Sequence, residues 1–453
     1  MLPLSATLIR LTNYDNTKPD AMHTHHPHSS LFDVVGCMSD YDPDALPVEH
    51  AQHIIQQFIT PIHTVEKLAL RQALGRVLAE DIISAMNVPA HDNSAMDGYA
   101  LRGSDLPVNG DLELTIIGTA YAGRAFEGDV QTGQCVRIMT GGVMPAECDT
   151  VIPQELTRNA SAELVTIPFG KIKRGDNRRC KGEDLAIGKT ALVKSKLLRP
   201  ADLGLLASLG VAEVPVQRRL RVAFFSTGDE LRSLGEPLDD GCVYDSNRYT
   251  LYGMLQRLGC DMIDMGVIKD DPDSLTAAFR SACENADAVI TSGGVSVGAA
   301  DYTKQIMAEL GDVAFWTIGM RPGRPMAFGK IHSQGKSAYL FGLPGNPVAV
   351  MVTFYFFVRN ALLHMMGATS TLLPLVPAIS QAAIRKRAGR TEYQRGIVSV
   401  DDQGRLQVAI TGAQGSGILR SMSEANCMIV LHHEQGNVNA GEAVDILLFD
   451  GLL

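Results

Sequence analysis

Three loops in the second half of this 453-residue chain carry residue types suited to chemistry on an anionic ligand. Ser226, Thr227, Gly228, Asp229 and Glu230 follow "RVAFF"; Ser292, Gly293, Gly294, Ser296 and Gly298 follow "DAVI"; Pro344, Gly345 and Asn346 follow "AYLF". Glycine at a strand end lets backbone N–H groups close around an anion, and a following helix N-terminus adds the positive end of its dipole. The same residues make ordinary turns with no ligand. Three such loops in one region, two of them with carboxylates, favour a site. The carboxylates are Asp229 and Glu230 in the first loop and Asp301 just beyond the second, while Asp270 and Asp271 follow a fourth strand-like run, "MIDMGVI". Carboxylates beside phosphate-type loops point to Mg2+, a hard cation that takes oxygen ligands and bridges phosphate oxygens.

The elements that must position these loops read as alternating strands and helices from Arg221 to about residue 367: "RVAFFST", "SNRYTLYGMLQRLG", "MIDMGVI", "DSLTAAFRSACENA", "DAVITS" and "YTKQIMAEL". That alternation predicts a parallel sheet with crossover helices, whose ligands sit beyond the carboxyl ends of the strands. The whole chain reads as multidomain α/β. Residues 1–45 are polar and irregular and read as a flexible leader, in which His23, His25, His26 and His28 lie in a Pro-interrupted tract with no fixed geometry for a metal. A helical domain split between 46–84 and 188–220 is expected, with two helices broken at Thr60-Pro61, the second carrying Leu68, Leu70, Ala73, Leu74, Val77 and Leu78, and a further helix over Arg199–Leu209. Short strands such as "LELTIIG", "CVRIM" and "DTVIPQE" predict a β-rich insert over 85–187. The α/β domain occupies 221–370, and short strands at hairpin spacing over 371–453 predict a small C-terminal β-barrel.

Composition narrows the function. A net charge of −10 argues against a nucleic-acid binder, which carries a basic face, so an anionic ligand must be met by local positive groups. Eight scattered cysteines without a CxxC pair indicate neither a zinc ribbon nor a disulfide framework and suit a reducing cytoplasm. Cys148 and Cys180 flank charged segments, but no histidine stands in an arguable relation to either, so both read as bystanders. No signal-peptide pattern opens the chain, and the longest apolar run, Val348 to Val358, is too short for a membrane span and reads as a buried helix. Trp316 and the aromatics of 354–357 read as core.

Five motifs then occur in order: "HDNSAMDGYA" (His91 to Ala100), "IMTGGVMPAECDTVIPQE" (Ile138 to Glu155), "FSTGDEL", "SGGVSVGAADYTK" and "GLPGNPVAV". With them the chain resembles the molybdopterin molybdenumtransferase family, which includes MoeA and the gephyrin E domain, from about residue 46 to its C-terminus. The resemblance implies a three-layer molybdopterin-binding-like α/β domain and a cytoplasmic homodimer that inserts molybdate into adenylylated molybdopterin, releasing AMP, with Mg2+ required. It also implies a molybdopterin adenylyltransferase as upstream partner, and neither nucleic acid nor membrane.

Carried over by position, the resemblance implies functional roles for Asp97, Thr140, Glu230, Asp270 and Asp301, the last three towards Mg2+ or the ligand, with Asp184 and Ser416 in lesser parts. The strand-end loops and "RPGRP" (Arg321, Arg324) would hold the cofactor, and the insert would reach across the dimer to the partner's site. Lys171, Lys173, Arg174, Arg178, Arg179 and Lys181 would supply positive charge there. The chain departs from the family pattern near that pocket: Arg321 and Arg324 replace lysines, Thr317 stands where a lysine is common, Ala300 replaces a glutamate, and Glu147-Cys148 replaces a small residue. Two other readings are an adenylyltransferase, which needs only the core domain, and a dimeric scaffold that binds partner peptides. The retained polar residues speak against the scaffold, and the modules around the core against the adenylyltransferase.

Overall fold

The computed structural model describes residues 30–36, 41–295, 301–369 and 373–450. Its centre is a six-stranded sheet in the order Asp261–Ile268, Arg221–Thr227, Ala288–Ser292, Lys336–Leu343, Pro325–Ser333, Gly311–Thr317. Strand Arg221–Thr227 alternates strictly: Val222 and Phe224 face one core, Ala223 and Phe225 the other, all fully buried. On one side the helices Pro272–Asn285 and Asp301–Leu310 pack, with Phe225 edge-on to Phe279. On the other lie Asn247–Leu258 and the helical run 347–365, which completes three layers.

Two expectations need correction here. The sheet is mixed, because Pro325–Ser333 and Gly311–Thr317 pair antiparallel to their neighbours; the connection between them is too short for a crossover helix, so the chain must turn back on itself. The apolar run at 348–358 is also only part of a continuous 19-residue helical stretch, in which Phe354–Val358 widens into a π-type turn. That stretch is long and apolar enough to cross a membrane, yet 72% of it is buried inside the protein, including Phe354 and Phe357, so it remains a core helix.

The second expected helix, over Leu68–Leu78, is absent. Val65–Ala69 is a strand paired antiparallel with Glu213–Gln217, followed by a 3-10 turn at Leu70–Gln72 and left-handed Gly75. Pairing with residues more than 140 positions away places Leu78, Val214 and Val216 in one small core, a tertiary gain that local periodicity cannot register. A second pair, Ile82–Ile83 with Thr190–Leu192, and helix Pro200–Ser208 complete this region.

Between those pairs the chain makes a five-stranded sheet ordered Thr150–Pro153, Gly98–Leu101, Gln134–Ile138, Leu112–Ala120, Leu164–Ile167, with an apolar core on each face. At the C-terminus five strands close on themselves: Thr391–Val400 pairs with both Leu406–Ile410 and Cys427–Leu431, and Val376–Ser380 and Ala443–Leu448 complete the ring. Met320–Arg321 leaves the α/β domain and joins that barrel as a parallel strand, so one segment belongs to both.

Part of the segment expected to be a flexible leader is ordered. Leu31–Gly36 is a short helix that buries Leu31 and Val34 in the main core, and the amide of Leu31 donates to Asp312. Tyr41 accepts a hydrogen bond from Trp316, which is core as expected. The histidine cluster lies outside the described residues.

Candidate functional site

The strand ends at the carboxyl edge of the central sheet are tied to one another by polar side chains. Thr227 donates its hydroxyl to Asp270, joining the end of Arg221–Thr227 to the loop after Asp261–Ile268. Ser226 donates to Asp245 at 3.0 Å, and Asp245 accepts the amide of Arg248 at the start of the next helix. Asn247 donates to the hydroxyl of Ser292 and to the carbonyl of Gly345, both at 2.7 Å. Gly293 is left-handed at φ 97°, and a side chain there would lie 2.4 Å from the Thr227 carbonyl oxygen. Glycine at this position is therefore a steric requirement, and its amide donates to the Leu343 carbonyl at 3.1 Å.

Glu230 is exposed, and its carboxylate folds back over Gly228. No group of three or more histidine, cysteine, aspartate or glutamate side chains suited to a metal occurs among the described residues. Glu230 and Asp270 still follow the ends of adjoining strands, and with Thr227 on Asp270 they offer oxygen donors of the kind Mg2+ takes. Asp301 opens helix Asp301–Leu310, but its side chain, like Ser296, Gly298 and Ala300, lies outside the described residues.

A separate cleft lies between the α/β domain and the barrel, and its central residue was not among those expected. Arg395, on barrel strand Thr391–Val400, is fully buried. Its Nε donates to Ser421 and its Nη2 to the Gly415 carbonyl, each at 3.0 Å, while Nη1 has no partner. Burial, with Arg321 nearby, pushes its pKa down to about 10, so it is still a cation at neutral pH. Arg321, Arg385 and Arg395 line one cleft of about 370 Å³. The only carboxylate lining it, Glu392, is paired with Arg390 at 2.7 Å. A guanidinium with an unused donor, in a cleft with two more cations, is chemistry suited to a compact oxyanion. Nothing in the sequence singled out Arg395: Thr391 to Gly396 are all buried in the barrel, but the run also carries Glu392, and that burial shows only in the fold. The cleft is joined to the strand-end loops by the next residue in the barrel loop: Ser416 accepts the amide of Val348 at 3.0 Å, in the first turn of Pro347–Thr353. Arg324 is exposed, its carbonyl accepting the amide of Ile318.

The insert's residues form a separate group. Asp97 accepts two hydrogen bonds from Thr140, from the amide and from the hydroxyl, each at 2.7 Å. The amide first and the hydroxyl second hold its carboxyl below the usual aspartate range. This is more than a turn contact, since turn aspartates bond their own neighbours rather than a residue 43 positions away. No hydrogen bond or ion pair described for Asp97, Thr140 or Asp184 reaches Thr227, Asp270, Ser292 or Arg395. In the charged segment, Arg174 pairs with Asp149 and Arg178 with Asp92. Burial pushes the Cys148 thiol up to about 12, which keeps it protonated and unfit as a nucleophile. Of the other departures, the backbone of Thr317 bonds Pro43 and Leu46, and Glu147 accepts the Val130 amide.

Comparison with known proteins covers nearly all of this architecture. Residues 46–210 match a family model described as the MoeA N-terminal region (domain I and II), residues 223–364 one described as a probable molybdopterin binding domain, and residues 377–449 the MoeA C-terminal region (domain IV). A molybdopterin molybdenumtransferase of Haemophilus influenzae is 44% identical over 403 residues, 88% of this chain and 97% of that one. One from Nostoc is 37% identical over 390 residues, 84% of this chain and 88% of its own. A crystal structure of a molybdopterin biosynthesis MoeA protein from Pyrococcus horikoshii superposes with a TM-score of 0.75 at 30% identity, covering 90% of this chain and all of the other. With three consecutive family regions in order and identity of this level over most of both chains, the protein belongs to the molybdopterin molybdenumtransferase (MoeA) family.

Proposed function

We propose that this protein is the molybdopterin molybdenumtransferase of molybdenum cofactor biosynthesis, inserting molybdate into adenylylated molybdopterin with release of AMP in an Mg2+-dependent reaction. The observation that carries the reading is a pair of unlike features suited to anions, a glycine-rich strand edge with carboxylates and a cleft around buried Arg395, linked through the Val348–Ser416 hydrogen bond. A reaction between a phosphoanhydride and a tetrahedral oxyanion needs both.

In this reading the amides of Gly294 and Gly345 hold the phosphate end of the pterin, the Gly293 amide being used by the Leu343 carbonyl, and Ser226, Thr227, Ser292 and Asn346 shape the loops that present them. Glu230, Asp270 and Asp301 would hold Mg2+, which would supply charge neutralisation for a pyrophosphate. Arg395 and Arg321 orient molybdate, with Arg324 at the rim. Arginine in place of lysine at 321 and 324 keeps the charge and adds a planar fork suited to an oxyanion. Asp97 and Thr140 act from the insert of a second copy, which makes the active unit a homodimer, and the upstream partner is a molybdopterin adenylyltransferase. The compartment is the cytoplasm.

The test is AMP release from adenylylated molybdopterin by purified protein with Mg2+, with and without molybdate, on wild type and Arg395→Lys. Molybdate-dependent release is expected. The lysine variant should raise the KM for molybdate roughly tenfold or more, because a point charge cannot replace a buried fork. Release that ignores molybdate, or a variant KM equal to wild type, contradicts the reading.

A further inference from the structure

Asn247 plays a part that neither the sequence motifs nor the reaction scheme assigns. It is the first residue of helix Asn247–Leu258, nearly buried at 7% exposure, and its side chain bridges two of the three glycine loops. Its amide nitrogen donates to Ser292 and to the Gly345 carbonyl at 2.7 Å each. The amide orientation is settled by chemistry, since a carbonyl can only accept and the atom facing it must be the NH2. Both hydrogens of that group are therefore used, and the amide oxygen has no partner. Beneath the bridge the backbones are at contact distance: a methyl built on Gly345 would meet only the Cα of Gly293, 3.9 Å away.

We infer that Asn247 is a positioning residue that staples the Ser292–Gly294 loop to the Gly345–Asn346 loop, setting the spacing at which the Gly294 and Gly345 amides hold the phosphate of adenylylated molybdopterin. This rests on the reading of those loops as the phosphate cradle. The staple works by donation alone. Aspartate at 247 keeps the shape but turns an acceptor towards the Gly345 carbonyl, driving the loops apart, whereas alanine only releases them.

The experiment compares Asn247→Asp, Asn247→Ala and Ser292→Ala with wild type, measuring the Kd of adenylylated molybdopterin without turnover and kcat and KM for AMP release. A donor staple predicts that the aspartate variant is the worst, its Kd raised about tenfold or more, with alanine intermediate and kcat changed less than KM. Asn247→Ala with Ser292→Ala should bind no more weakly than Asn247→Ala alone. A packing role predicts the reverse order, aspartate tolerated better than alanine, and would overturn the inference, as would Kd values equal to wild type. Ligand that fails to bind wild type would instead refute the cradle itself and the inference with it.

Discussion

At the scale of single residues, the site's groups are set by what each donor or acceptor meets. Asp97 is held ionised by two donors from Thr140, so its folded-state carboxyl titrates below the unfolded one. The sign follows: the stabilisation is present above the unfolded-state pKa and fades as pH falls through the folded value. Thr140→Val keeps the amide donor and removes the hydroxyl. Its Asp97 should titrate higher, towards the ordinary aspartate value, in a carboxyl-detected NMR titration; an unmoved titration would show that the hydroxyl bond contributes nothing. Sequence made the Asp97–Thr140 association legible only through the family motifs, because an Asp-Gly and a Thr-Gly-Gly each read locally as turns. Arg395 was missed for the converse reason: its cleft exists only where barrel and α/β domain meet.

At the scale of elements, strand ends and helix starts do the positioning, and glycine is where they touch. Gly293 and Gly345 look alike in sequence but differ in space. Gly293 is left-handed, and a methyl there would lie 2.4 Å from the Thr227 carbonyl oxygen; at Gly345 nothing is nearer than 3.9 Å. Gly293→Ala should therefore lose about 3 kcal/mol of stability, and Gly345→Ala less than about 1 kcal/mol, in urea denaturation. Equal losses would refute the contact. The expected elements that failed share a cause. Residues 68–78 carry apolar spacing compatible with helix, but pairing of Val65–Ala69 with Glu213–Gln217 gives them a partner that no local window contains. The antiparallel pairing of Gly311–Thr317 with Pro325–Ser333 was hidden because an alternating strand and helix pattern does not show where the chain turns back.

At the scale of the whole molecule, the insert bearing Asp97 and Thr140 makes no described polar contact with the loops bearing Asp270, Ser292 and Gly345. If the active unit is a dimer with each insert serving the partner's site, the two halves can be supplied by different chains. Asp97→Asn and Asp270→Asn, each inactive alone, should regain about a quarter of wild-type activity when co-refolded: half of randomly assorted dimers are mixed, and each mixed dimer has one intact site of two. No recovery would place both residues in one chain's site.

The sequence by itself determined the strand-end glycines, the carboxylates beside them, the order of the α/β and β-rich regions and, through five ordered motifs, the family. All of these are local in the chain: a turn's φ requirement and a strand's alternation are written in neighbouring residues. Only the tertiary structure decided that Asn247 bridges Ser292 and Gly345, that Arg395 is buried with a free donor beside Arg321, and that barrel and α/β domain share the strand Met320–Arg321. Those features depend on which distant segments exclude water together. Hydrogen-bond satisfaction and charge burial are properties of that shared interior, and residue order fixes them only once the chain has closed around it.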